Sequence, residues 1–218
     1  MKATHFFSLD KTLADKLLLK SEYPWDALDM LSEYIYRVGK GLDREAYREH
    51  RRGIWIAKNA FVSDSAELKA PLIIGEGSEI GGLAIVGEAV IIGNGASVGG
   101  GCEIKRSVIF DKARASQHNY ISDSFIGYGA SLGNGAIISS LRADRGEIIC
   151  TFGDKSVRCE RKRLGAVIGD GAKIGCSSVL LAGTVVERGS TVNPLTRVRG
   201  FVSAERAYSG EKIIADIL

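Results

Sequence analysis

An apolar residue returns at every sixth position over most of the stretch Ile56 to Val198. The first run is Ile56, Val62, Leu68, Ile74, Ile80, Val86, Ile92, Val98 and Ile104. A five-residue step resets the phase to Ile109, Ala115 and Ile121, and a second gives Ile126, Leu132 and Ile138. After an interruption the beat resumes as Ile168, Ile174, Leu180, Val186, Val192 and Val198. Glycine often follows the anchor, as at Gly75, Gly81, Gly93 and Gly169, and a small residue often precedes it by two, as at Ala60, Ser78, Ala96 and Ser178. A period of six fits neither a helix nor a meander. It is the signature of a parallel β-helix, in which each hexad is a short strand plus a corner. The anchor points inward, and the small residue leaves room for it. Twenty-one anchors at three per coil predict an all-β solenoid of about seven coils, roughly 34 Å long at the spacing of neighbouring strands. A sandwich with coincidental spacing does not explain three features on one beat.

The solenoid takes most of the 218 residues, and an apolar content of 45% is ample for its core. A net charge of +3 does not point to nucleic acid, but it suits an anionic small ligand. Cys102, Cys150, Cys159 and Cys176 have no CxxC spacing, so free thiols in a reducing, cytoplasmic setting are expected. An early Asp10 and no long apolar run give no expectation of a signal peptide, and no stretch reads as a membrane span.

Residues 1–52 precede the beat and read as a helical N-terminal cap over the open end of the solenoid, since solenoids need their coil edges covered. Pro24 can open a helix, Trp25, Leu28, Leu31, Ile35 and Val38 form its apolar stripe, and Gly39 can close it. The charged stretch Asp43 to Arg52 reads as a second short helix. Residues 53–200 hold the β-helix, with an excursion over 140–166. Within it, Glu147 to Phe152, then Gly153-Asp154, then Lys155 to Glu160 predict a hairpin projecting from the prism. Arg161, Lys162 and Arg163 follow it and suit phosphate, although a solvated loop carries such charges too. Residues 201–218 read as a C-terminal tail. From Glu103 to Ser124 the coils gain polar residues, and phase slips flank the stretch, which marks it as a candidate site. Spacing alone leaves open whether it is a site or a solvated face.

The hexapeptide beat resembles that of the left-handed β-helix acyltransferases. More specific are Cys102-Glu103-Ile104-Lys105, Asn119-Tyr120-Ile121-Ser122-Asp123-Ser124, Arg142, Asp144, and Leu164-Gly165-Ala166-Val167-Ile168-Gly169-Asp170 with Ile174-Gly175-Cys176. Together they look like the acetyltransferase domain of bifunctional N-acetylglucosamine-1-phosphate uridylyltransferases and its stand-alone relatives, over about residues 20–202. The resemblance implies the left hand of the coil, against the general preference for right-handed crossovers. It implies acetyl-CoA as co-substrate, an amino-sugar phosphate as acceptor, and a homotrimer with sites between neighbouring prisms. By position, Lys105 and Arg163 would meet the sugar phosphate, Tyr120 and Ser131 would line the sugar site, and Ser140, Cys176, Arg197 and Arg199 would lie along CoA.

The sequence also departs from that pattern. Gln117 stands where the family has its catalytic histidine, and His118 follows it. Ser131 and Ser140 replace asparagines, an arginine is missing near Val86, and no glycine-rich nucleotide loop precedes residue 52. Acetyl transfer to an amine needs a base, and glutamine does not titrate near neutrality whereas histidine does. Either His118 takes the role, which needs a local bulge if the segment is extended, or the module is a degenerate trimeric binding protein or scaffold. Zinc is not expected, since His118 is the only histidine in the repeat.

Overall fold

The computed structural model describes residues 1–209 and the strand Ile213–Asp216. The coils form a parallel β-solenoid with three faces. Face one stacks strands from Phe61–Val62 to Arg206–Tyr208, face two from Glu67–Lys69 to Arg197–Val198, and face three from Ile54–Ala57 to Phe201–Val202. The anchors point inward as read from the sequence, and Ile74, Ile80, Val86, Ile92, Ile138, Leu180 and Val198 are wholly buried in one continuous core.

The stack is longer than the seven coils expected. Face one carries eight parallel strands, and a ninth, Ile213–Asp216, pairs antiparallel with the last. That makes the prism roughly 38 Å long. Two further rungs lie beyond Gly200, where Phe201–Val202 pairs Thr184–Val186 and Arg206–Tyr208 pairs Thr191–Val192. Val202 is buried in the core four residues after Val198, so a shortened corner hides the continuing beat. The remainder of the stretch read as a tail lies partly outside the described residues.

The N-terminal helices do not cap the end of the prism. Helices α1 (Ala3–Phe6), α2 (Asp15–Lys20) and α3 (Ala27–Lys40) lie along the flank of face three. The cause is the outward side of that face. Ile73, Ile91, Val108, Phe125, Val167 and Val185 sit between the anchors, are fully buried, and pack against Phe6, Phe7, Leu31 and Ile35. The rings of Phe7 and Phe110 stack at 4.7 Å. A β-helix face that is apolar on both sides must be covered, and burying each such side chain is worth about 1.5–3 kcal/mol.

Asp43 to Arg52 is not helical. It contains the strand Tyr47–Arg51, which pairs antiparallel with Ile54–Ala57 and covers the first edge of face three. Gly39 does not end α3, which runs to Lys40. It sits under the Trp55 ring, where any Cβ would collide with the indole.

The hairpin forms as read, from Ile148–Phe152 and Lys155–Cys159 around Gly153-Asp154. It folds back rather than projecting. Ile148, Cys150, Phe152 and Cys159 are buried in the flank cluster, and Arg161 forms an ion pair with Asp29 of α3. An apolar side on a two-stranded ribbon finds the same uncovered face that the helices use. Among the described residues no helix is long and apolar enough to cross a membrane.

Candidate functional site

The corner between faces one and two is built by a column of left-handed residues. Leu83, Gly101, His118, Gly135, Ser177 and Leu195 occupy equivalent places, with φ between 55° and 70°. His118 takes φ 57°, accepts this unfavourable region, and donates its backbone N–H to the Gly100 carbonyl. Its ring lies over Gly101, where a Cβ would come within 2.8 Å of Cε1. Gln117 and His118 are both exposed. The bulge expected for His118 is a need of an extended segment, and this segment is a corner. Asn119 anchors the turn from inside, donating its amide to the Gly133 carbonyl in the next coil.

Face two continues from this corner. Tyr120 lies beside Glu103 on the neighbouring rung, and Lys105 donates to Glu103 at 2.8 Å with its ammonium 5.0 Å from the Tyr120 ring centre. Glu103 first, then Tyr120, hold the Lys105 ammonium above the ordinary lysine value. Arg197 shares the outward column of Tyr120 through Ile137 and Val179. Three rungs put it roughly 14 Å along the face. Cys176 is exposed at the corner two rungs beyond Gln117, through Asn134.

Arg199 lines a cleft of about 310 Å³ with Ser139, Leu141, Arg142, Leu181 and Ala182, at the root of the excursion. The Arg142 guanidinium is held by Asp144 through two hydrogen bonds, which among the described residues leaves Arg199 as the cation of this cleft without an ion pair.

Two residues are placed differently from the rest. Ser131 is on face one, paired with Arg114 and Lys173, around the corner from Tyr120. Ser140 is 3% exposed and its hydroxyl donates to Ser122, so it supports the coil rather than lining the cleft. Arg163 is exposed where the excursion rejoins the coil. There Leu164 N–H bonds the Ser140 carbonyl and Gly165 N–H bonds the Asp123 carbonyl. Arg163 thus stands at the root of the excursion, next to the rung of Ser139 and Ser140, which lies two rungs beyond Lys105. Of the basic triplet, Arg161 is committed to Asp29, and Lys162 and Arg163 face solvent.

The phase slips have a physical cause that spacing did not show. Each removes one residue from the corner between faces two and three, and Arg106 and Asp123 make the tightened turns with φ 43° and 52°. Their side chains pair there. Arg106 Nε donates to Asp123 Oδ1 at 2.6 Å and Nη2 to Oδ2 at 3.1 Å, and Ser122 Oγ donates to Oδ2 at 2.6 Å. Burial pushes the Asp123 carboxyl up, but Arg106, Ser122 and Ser140 outweigh it and leave it below the usual carboxylate value. The sequence signal was present: Ser122-Asp123-Ser124 stands at the second slip.

The model of the GMPPB C-terminal domain matches residues 68–164. The bifunctional protein GlmU of Methanococcus maripaludis strain C5 is 34% identical over 90 residues, covering 41% of this chain and 22% of the relative. A bifunctional sugar-1-phosphate nucleotidylyltransferase/acetyltransferase of Sulfurisphaera tokodaii is 29% identical over 92 residues, covering 42% of this chain and 23% of the relative. The matched stretch thus spans under a quarter of each of these relatives. Among solved structures, the UDP-N-acetylglucosamine O-acyltransferase LpxA of Moraxella catarrhalis RH4 aligns with a TM-score of 0.47 at 16% identity, covering 77% of this chain and 74% of that one. A Bacillus cereus protein described as a putative acetyltransferase aligns with a TM-score of 0.40 at 18% identity, covering 75% and 77%. The chain is a hexapeptide-repeat β-solenoid whose sequence resembles the acyltransferases of that architecture, GlmU proteins among them.

Proposed function

We propose that this protein transfers an acetyl group from a CoA thioester to the amine of a phosphorylated amino sugar. The observation that carries the reading is the surface formed by one corner and one face. His118 is held outward by a left-handed backbone, and Tyr120 and Lys105 stand on the strand that follows and its neighbour. Lys105, and Arg163 at the root of the excursion, supply positive charge for a sugar phosphate. Arg197 and Arg199, with Leu141 and Leu181 lining the cleft beside Arg199, suit the phosphates and the apolar arm of CoA. The Sulfurisphaera tokodaii relative that matches the coils is named for sugar-1-phosphate nucleotidylyl and acetyl transfer, which supports the same substrate class.

In this reading the imidazole of His118 takes a proton from the amine as nitrogen attacks the thioester carbonyl. The C–N bond forms, the C–S bond breaks, and the proton is passed to the departing thiolate. Lys105 and Tyr120 orient the acceptor, and Gln117 serves as a hydrogen-bonding neighbour. Assembly as a trimer would set face one of one copy, with Ser131, against this corner of the next.

A second reading, a binding or scaffold module without catalysis, is favoured by Gln117 at the family's base position and by Ser140 being turned into the coil. One experiment separates them. The protein is incubated with acetyl-CoA and a panel of amino-sugar phosphates, and thiol release is followed. Acceptor-dependent release that is lost in His118→Ala, with CoA binding kept, supports the enzyme. No release from the wild type, and no change in His118→Ala, supports the scaffold.

A further inference from the structure

The positive charge of this protein is concentrated at one end. Residues 37–58 hold seven Lys and Arg against three Asp and Glu, a net of +4 where the whole chain is +3. The charge surrounds a cleft of about 580 Å³ between the last turn of α3 and the strand Tyr47–Arg51, lined by Lys40, Leu42, Arg44, Tyr47, Arg48 and Trp55 together with Gly39 and Glu49. The floor is rigid. The Trp55 ring lies on the Gly39 backbone and meets Tyr36 edge-on at 6.0 Å, and Tyr47 is 9% exposed. The rim is cationic: Lys40, Arg44 and Arg48 are exposed, and none of them forms an ion pair among the described residues. Glu49, the one acid in the cleft, already accepts the Gly53 N–H. The last carbonyls of α3 favour a cation nearby, which accounts for Lys40 but not for Arg44 and Arg48.

We propose that this cleft binds a phosphate-bearing small molecule of the nucleoside di- or triphosphate class. Two guanidiniums and an ammonium around a concave floor match a short chain of phosphates by forks and point charge. The volume is that of a small-molecule site rather than a flat surface for a polymer. The cleft begins three rungs before the strand Glu103–Ile109, roughly 14 Å away along the prism. It is therefore separate from the corner and face of the proposed acyl-transfer site, and it does not depend on that reading. It also lies outside residues 68–164.

The test is a titration of the full chain with ADP, inorganic pyrophosphate, adenosine and heparin, followed by calorimetry and tryptophan fluorescence. ADP and pyrophosphate should bind saturably and adenosine should not. Arg48→Glu should weaken both phosphate ligands by about tenfold or more, the scale of one lost charged hydrogen bond. Arg44→Ala and Lys40→Gln should weaken them less, and Arg163→Ala should leave them unchanged. These side chains are exposed, and melting of each variant near wild type checks that the fold is kept. Absence of saturable binding, indifference to Arg48→Glu, or equal loss in Arg163→Ala overturns the proposal. So does heparin displacing ADP at matched phosphate concentration, since the end would then be a general polyanion surface.

Discussion

Arg106→Ala should destabilise this protein more than its surface position implies. The Asp123 side chain is 1% exposed, and the Arg106 side chain beside it is 33% exposed. Removing the guanidinium strips the two hydrogen bonds at 2.6 and 3.1 Å and leaves the carboxylate to the Ser122 and Ser140 hydroxyls. Breaking a buried ion pair by deleting one partner costs roughly 3–5 kcal/mol. Water can reach the side from which Arg106 is lost, so the lower end, about 3 kcal/mol, is expected.

The pH dependence gives the reasoning a second check. In the wild type the folded carboxyl lies below its ordinary value, so its contribution is present above the unfolded pKa of about 4 and is lost as pH falls through the lowered folded value. Without Arg106, burial dominates and the carboxyl moves up. It then takes a proton on mild acidification, and the variant is relieved. The deficit of Arg106→Ala should therefore shrink between pH 7 and about pH 4.5. Urea denaturation midpoints at the two pH values measure it. A deficit under about 1 kcal/mol at pH 7, or one that does not change with pH, refutes the argument that this pair holds the tightened corner.

Ile92 is wholly buried among the stacked anchors, so Ile92→Asp should cost several kcal/mol and lower the melting temperature steeply, as an unpaired buried charge does; a melt within a degree or two of wild type would disprove the register. Gly39→Ala, a change that gains up to about 1 kcal/mol in an open helix, should here destabilise, because the new methyl collides with the Trp55 ring; calorimetric melting reads the sign. Arg163→Ala should weaken sugar-phosphate binding more than CoA binding and Arg199→Ala the reverse, and calorimetry with each ligand that finds equal losses would remove the assignment of the two arginines to different ligands.

The sequence alone carried the solenoid, because a six-residue beat has no other economical use and every coil repeats it. It carried the hairpin as well, since Gly153-Asp154 between two alternating runs has a local turn chemistry. Much of the candidate surface was legible too: Gln117, His118, Lys105 and Tyr120 stand close in sequence, and a β-helix keeps neighbours in sequence close in space. What the beat could not show was how many coils there are, because the shortened corner between Val198 and Val202 breaks the count while the backbone pairing continues.

Tertiary structure decided the rest, and for one reason. Periodicity marks the residues that face the axis and is silent about what covers the outside. Ile73, Ile91, Val108 and Phe125 lie between anchors, and only the stacked coils turn them into an apolar flank that draws in the helices and the hairpin. The same holds at the corners. His118 and Gln117 both face outward because of a left-handed φ at His118, and Asp123 finds Arg106 because two shortened turns bring successive coils into register. Ser140 and Ser131 look alike in the sequence, yet one is sealed in the coil and the other stands on a different face. Which side of the chain a residue presents depends on backbone dihedrals and on the neighbouring rung, and neither is written in the spacing of its own hexad.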